Sequence, residues 1–178
     1  MAEFIPMKKV ILLRHAKSSW DNPGLDDHDR PLNKRGRAAS PVMGEWLTRK
    51  QHVPDAILCS TAARARETLD RLKLPKSASR TVDFTRQLYH ASPETMLEIL
   101  RGTDSTADTA MLIGHQPGLG AMARLMSDGA TARCRRAFEH FPTAAAAVLE
   151  IDVSRWQDIG YGMAKFTDFA KPRELMDA

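Results

Sequence analysis

Four short apolar runs, Val10–Leu13, Asp55–Cys59, Thr81–Phe84 and Thr109–Ile113, alternate with stretches whose apolar residues recur at helical spacing. Strands and helices in that alternation bury their apolar faces by forming a mainly parallel sheet with helices on both sides. An α/β fold is therefore expected. Asn33 is placed to cap a helix on which Ala38, Ala39, Val42, Met43, Trp46 and Leu47 share a face, with Pro41 as a kink. Ser60 reads as the cap of a helix from Thr61 to about Leu74, stopped by Pro75. Ser92-Pro93 opens another, and Gly102 stands where a helix C′ glycine belongs. A further helix follows Gly118 to about Met126, and the tail reads as two strands, Ala144 to Ile151 and about Gly162 to Phe169.

At 178 residues, 43% hydrophobic and 27% charged, the chain suits one domain over 1–178 with a real core. Met1 to Pro6 lacks a basic segment followed by an apolar one, and no apolar run is long enough to span a bilayer, so a cytoplasmic protein without a membrane partner is expected. Cys59 and Cys134 make no metal-ligand spacing and read as reduced thiols. A net charge of +4 favours acidic ligands weakly, while an aromatic content of 6% with no basic segment interleaved gives no reason to expect nucleic acid.

In an open α/β sheet, ligands bind outside the carboxyl ends of the strands. Arg14-His15 ends the first run, Arg64 lies in the opening turn of the helix after the second, and Gly114-His115 ends the fourth. Parallel strands bring these ends to one edge, so Arg14, His15, Arg64 and His115 can surround one ligand, with helix N-termini adding donors for an anion. Arginine forks and a neutral imidazole suit phosphoryl chemistry. Other chemistries fit worse. A cysteine phosphatase needs Cys-x5-Arg, but Ala65 stands there after Cys59; Gly114, Gly118 and Gly120 are not followed by a Walker lysine. His15 with His115 lacks a third metal ligand, so no metal is expected. Asp26-Asp27-His28-Asp29 reads as a solvated acidic turn, and His52, His140 and the run Arg133, Arg135, Arg136 as helix-surface charges, the run alternatively docking an acidic partner. Met96, Met122 and Met126 have core spacing.

The same residues resemble the histidine phosphatase superfamily, also called phosphoglycerate mutase-like, along nearly the whole chain. Its Arg-His-Gly motif stands as Arg14-His15-Ala16, its second motif as Asp29, Leu32, Gly36 and Ala39, its third as Ser60, Arg64, Ala65 and Thr68, and its late Gly-His as Gly114-His115. Arg14 to Trp20 and Asp29-Arg30-Pro31-Leu32 are most similar to the SixA-type phosphohistidine phosphatases. The resemblance implies a three-layer α/β/α sandwich, no metal or other cofactor, and a phosphohistidine intermediate on His15. Arg14, Arg64 and His115 would clamp the phosphoryl oxygens, with Arg30 and Ser18 as further substrate-binding candidates.

Two departures bear on chemistry. Ala16 replaces the family's glycine, which predicts a φ below zero there. The glutamate that many members carry after the third strand is absent, because Thr85 to Ser92 holds no carboxylate and Glu94 lies in the next helix. Tyr89, His90 and Asp26 remain as candidate proton donors. A missing acid costs least with a labile bond, so the expected substrate is a phosphohistidine on a signalling or phosphotransfer protein, with small phosphate monoesters as the alternative. A weakly catalytic phosphate-binding module is the reading from another class.

Overall fold

The computed structural model describes residues 7–77, 80–129, 137–138 and 140–178. Cys134, the basic run Arg133, Arg135 and Arg136, and the leader Met1 to Pro6 lie outside the described residues. The strands are β1 (Lys8–Arg14), β2 (Ala56–Ser60), β3 (Thr81–Thr85), β4 (Thr109–Gly114), β5 (Ala146–Ile151) and β6 (Lys165–Ala170). The helices are α1 (Lys34–Arg49), α2 (Ala63–Leu72), α3 (Pro93–Arg101), α4 (Gly118–Met126) and the short α5 (Pro172–Met176).

One six-stranded sheet runs in the order β3-β2-β4-β1-β5-β6. β3, β2, β4 and β1 pair in parallel, whereas β5 pairs antiparallel with both β1 and β6. Alternation along β1 divides the core. Val10 and Leu12 pack with Met96, Leu100, Leu119 and Met122 of α3 and α4; Ile11 and Leu13 pack with Met43, Leu47, Ala65 and Leu72 of α1 and α2. Each face of a central strand is thus covered by helices, giving the expected three layers. β5 adds a fully apolar run, Ala146-Ala147-Val148-Leu149, to the same core.

Local signals explain most element ends. Asn33 caps α1 by accepting from the Gly36 amide at 2.9 Å, and Ser92 caps α3 by accepting from Thr95. α1 continues through Pro41, and its buried stripe includes Gly36, Ser40 and Gly44, while Ala38 is exposed. A Cβ on Gly36 would lie 2.2 Å from the Lys17 carbonyl, so only glycine lets α1 approach the segment that follows β1. Gly118 plays the same part for α4, since a Cβ would meet the Ala91 carbonyl at 2.1 Å. These two contacts press the loops carrying the site against the sheet edge.

Four expectations need correction. Ser60 does not cap α2: it is the last residue of β2, α2 begins at Ala63 without a side-chain cap, and the helix ends at Leu72 with Lys73 left-handed rather than at Pro75. Gly102 closes α3 with φ −82°, so it does not use the left-handed freedom of a C′ glycine. His52 is buried, packed on Trp46 and 3.1 Å from Asp168, not a surface charge. Asp26 to Asp29 is not simply solvated, because Asp27 bonds Arg64 and Tyr89. Ala16 is absent from the residues with positive φ, as its Cβ requires.

Candidate active site

The parallel register fixes the site's floor. Arg14 is level with Gly114 across β1 and β4, and the His15 amide donates to the Gly114 carbonyl at 3.1 Å. His15 and His115 therefore leave adjacent strands side by side, with ring centroids 5.0 Å apart. Ser60 ends β2, the strand on the other side of β4, and its hydroxyl lies 2.8 Å from His115 Nε2. Ser60 opens the third sequence motif and stands before a helical stretch, the pattern of a cap, yet its hydroxyl serves His115.

His15 is 7% exposed. Its Nδ1 lies 2.7 Å from the Ala16 carbonyl, an acceptor only, so Nδ1 carries the hydrogen and Nε2 carries the lone pair. Arg64 Nε donates to that Nε2 at 3.3 Å. The backbone holding the ring is fixed by Thr68, whose hydroxyl accepts from the Ala16 amide at 2.9 Å and donates to the Arg64 carbonyl at 2.6 Å. Burial, then the charges of Arg64, Arg14 and Arg30, push the His15 pKa down to about 3, against a bond to the Ala16 carbonyl that raises it. The imidazole is neutral at physiological pH.

His115 is 1% exposed and its pKa is lowered to about 2, first by burial and then by His15 and Arg64. Ser60 Oγ accepts from the Ala62 amide at 3.2 Å and, with one hydrogen and a second lone pair left, pairs with His115 Nε2 in either tautomer of the ring. That Nδ1 is buried and has no partner among the described residues; neither has Arg14 Nε. Unpaired buried donors and acceptors are rare because each costs the full desolvation of the group. Both atoms stand at the edge where β1 and β4 end. Arg14 is otherwise held by the Phe141 carbonyl at 3.0 Å, and burial with the nearby Arg64 charge lowers its pKa.

Arg64, 3% exposed, opens α2 and reaches the loop between β1 and α1 as well as His15. The other two candidates, Ser18 and Arg30, hold that loop: Arg30 donates to Ser18 Oγ at 2.7 Å, to the Ser19 carbonyl and to Asp27, and stacks on Trp20. Tyr89 and His90, from the loop after β3, stand with ring centroids 5.4 and 5.2 Å from that of His115. The Asp26 side chain does not cap the turn it precedes; the acid brought to the site is its neighbour Asp27. Cys59 is buried with its thiol pKa raised to about 12, which makes it inert. Among the described residues no group of three or more His, Cys, Asp or Glu side chains is placed to hold a metal ion.

The family model described as histidine phosphatase superfamily (branch 1) matches residues 10–88. A Mycobacterium tuberculosis relative, the uncharacterized protein Rv1276c, is 36% identical over 90% of this chain and 100% of its own. The chain belongs to the histidine phosphatase superfamily. It is similar to the phosphohistidine phosphatase SixA of Escherichia coli, with 27% identity over 82% of this chain and 87% of the relative. In three dimensions it matches a SixA-type protein of Nakamurella multipartitia, with a TM-score of 0.82 and 26% identity over 93% of this chain and 96% of the other. A histidine phosphatase of this SixA type is a phosphatase acting on a phosphorylated substrate, and its fold is the phosphoglycerate mutase-like one. No described helix is long and apolar enough to cross a membrane.

Proposed function

We propose that this phosphatase dephosphorylates phosphohistidine on a protein, through a covalent phosphohistidine on His15, as one domain over 1–178. The observation that carries the reading is the tautomer of His15: its Nδ1 hydrogen is spent on the Ala16 carbonyl, which leaves a lone pair on Nε2 beside Arg64. In the first step that lone pair attacks phosphorus. The bond between phosphorus and the substrate nitrogen breaks and its electron pair stays on that nitrogen, so a phosphohistidine already protonated on its other ring nitrogen leaves as neutral imidazole and needs no proton from the protein. In the second, water attacks the phosphorus on His15, the bond to Nε2 breaks, and inorganic phosphate leaves with His15 neutral again.

Phosphoryl transfer demands mostly charge stabilisation of the equatorial oxygens. Arg14 and Arg64 supply fixed positive charge, the unpaired Arg14 Nε supplies a donor, and the unpaired His115 Nδ1 supplies a second once that ring is protonated. His115 starts neutral, and a phosphoryl dianion beside it favours the imidazolium. Among the described residues the carboxyl brought to the site is Asp27, and bonds from Tyr89, Arg30 and Arg64 hold it well below the usual range, so it is ionised and offers the leaving group no proton. That favours a phosphoramidate, whose nitrogen leaves easily.

Small phosphate monoesters form the second reading, favoured by Tyr89. Its hydroxyl lies within the site, and burial with the bond to Asp27 raises its pKa, so it holds a proton at neutral pH. Rates across substrates of graded leaving-group basicity separate the two. Phosphohistidine peptide and p-nitrophenyl phosphate outpacing alkyl phosphates supports the phosphohistidine reading; a flat series transfers the substrate class to esters, with Tyr89 and His90 as the acids to replace.

A further inference from the structure

Asp27 lies outside the sheet and its helices, in the 3-10 turn Asp27–Asp29 of the loop between β1 and α1. Its carboxylate nevertheless gathers four side chains around the site. Oδ1 accepts from Arg30 at 2.8 Å; Oδ2 accepts from Arg64 Nη2 at 3.0 Å and from the Tyr89 hydroxyl at 2.5 Å, and lies 3.2 Å from His90 Nε2. The Asp27 carbonyl accepts from Arg64 Nη1 at 2.6 Å. Both terminal nitrogens of Arg64 are thus bound by one residue, while its Nε donates to the His15 nitrogen that bears the lone pair.

A guanidinium carries five N–H donors in one rigid plane, so fixing one edge aims the other. We propose that Asp27 is a positioning residue for phosphoryl transfer: it grips Arg64 across Nη1 and Nη2 and so presents the edge that carries Nε to a phosphoryl group at His15. The proposal rests on His15 as the phosphoryl acceptor. Asp27 is itself fixed, because buried Arg30 is tied to Ser18, Ser19 and the Asp27 carboxylate. An anion so near the phosphoryl group also repels it, which gives the opposite expectation if Asp27 merely competes for Arg64. The sign of the effect on oxyanion binding therefore decides.

The experiment measures tungstate binding by calorimetry, as a tetrahedral oxyanion that undergoes no chemistry, together with kcat and KM for p-nitrophenyl phosphate. The proteins are wild type, D27A, D27N, R64A and the D27A/R64A double variant. Asp27 as positioner predicts that D27A weakens tungstate roughly tenfold and lowers kcat by at least as much, and that the double variant is no worse than R64A, since the two residues act as one unit. D27N, which keeps the shape and one acceptor oxygen, falls between wild type and D27A, and thermal melts check that each variant folds. If D27A fails to fold, D27N alone and in the R64A background carries the same comparison.

Tighter or unchanged tungstate binding without the Asp27 carboxylate overturns the proposal, as do losses that multiply in the double variant. Wild-type protein that binds tungstate and cleaves p-nitrophenyl phosphate but leaves phosphohistidine peptide intact removes the substrate reading above without touching this role. A wild type that does neither removes both.

Discussion

The hydroxyl of Ser60 lies 2.8 Å from Nε2 of His115, at the ends of two paired parallel strands. The same oxygen accepts from the Ala62 amide, so the hydroxyl is held in place against the ring and turns the buried, unpaired Nδ1 of His115 to the other side. Replacing Ser60 with Ala frees the ring to turn. The expected loss is about fivefold in kcat/KM, the effect of one hydrogen bond of roughly 1 kcal/mol that orients the ring. Ser60→Ala assayed on p-nitrophenyl phosphate checks it, and an unchanged rate would mean that His115 is oriented by something else.

Arg64→Lys keeps a positive charge and loses the fork that meets His15 and Asp27 at once. A point charge cannot reproduce that geometry, so the rate should drop on the order of 10²–10³-fold, the scale of losing one preorganised donor to a charged transition state. Single-turnover kinetics locate the loss in the chemical step; a variant that retains wild-type kcat contradicts the role.

The two site histidines make the fold acid-sensitive. Each folded pKa lies below the ordinary 6.5, near 3 for His15 and 2 for His115, so between those limits the unfolded chain binds protons that the folded one does not. The free energy of unfolding therefore decreases as pH falls through 6.5 toward 3, the usual consequence of histidines buried neutral. Denaturant melts from pH 7.5 to 4 should show this slope, and His115→Gln should flatten it. By the same reasoning kcat/KM should show no acid limb from His15 near pH 6.5.

Positive charge around the site comes from Arg14 and Arg64, so no step above needs a metal ion. Turnover of p-nitrophenyl phosphate should be the same before and after dialysis against EDTA. Activity lost to EDTA and restored by a divalent cation would instead require metal ligands among the site histidines and Asp27.

Strand ends are legible in the sequence because Val10–Leu13, Ala56–Cys59 and Ala110–Ile113 are short, wholly buried apolar runs, and parallel pairing then brings Arg14, His15, Arg64 and His115 to one edge. The residues that escaped were those whose partners lie far along the chain. Ser60 before a helical stretch has the pattern of a local cap, and nothing nearby reveals that its partner is His115. Asp27 sits in a run of charges that periodicity assigns to solvent, yet it bonds across to Tyr89, 62 residues away. His52 was likewise hidden, since Asp168, on β6, holds it in the interior. Loop reach is set by the packing of Gly36 and Gly118 against other backbones, and that has no local signature.

The central claim is that His15 accepts the phosphoryl group. Wild-type protein mixed briefly with phosphohistidine peptide, quenched in alkali and digested should yield the peptide containing His15 bearing a phosphoryl group that is lost in acid. His15→Ala should give neither that species nor turnover while melting as wild type does. Label on any other residue, or undiminished turnover by His15→Ala, would contradict the account.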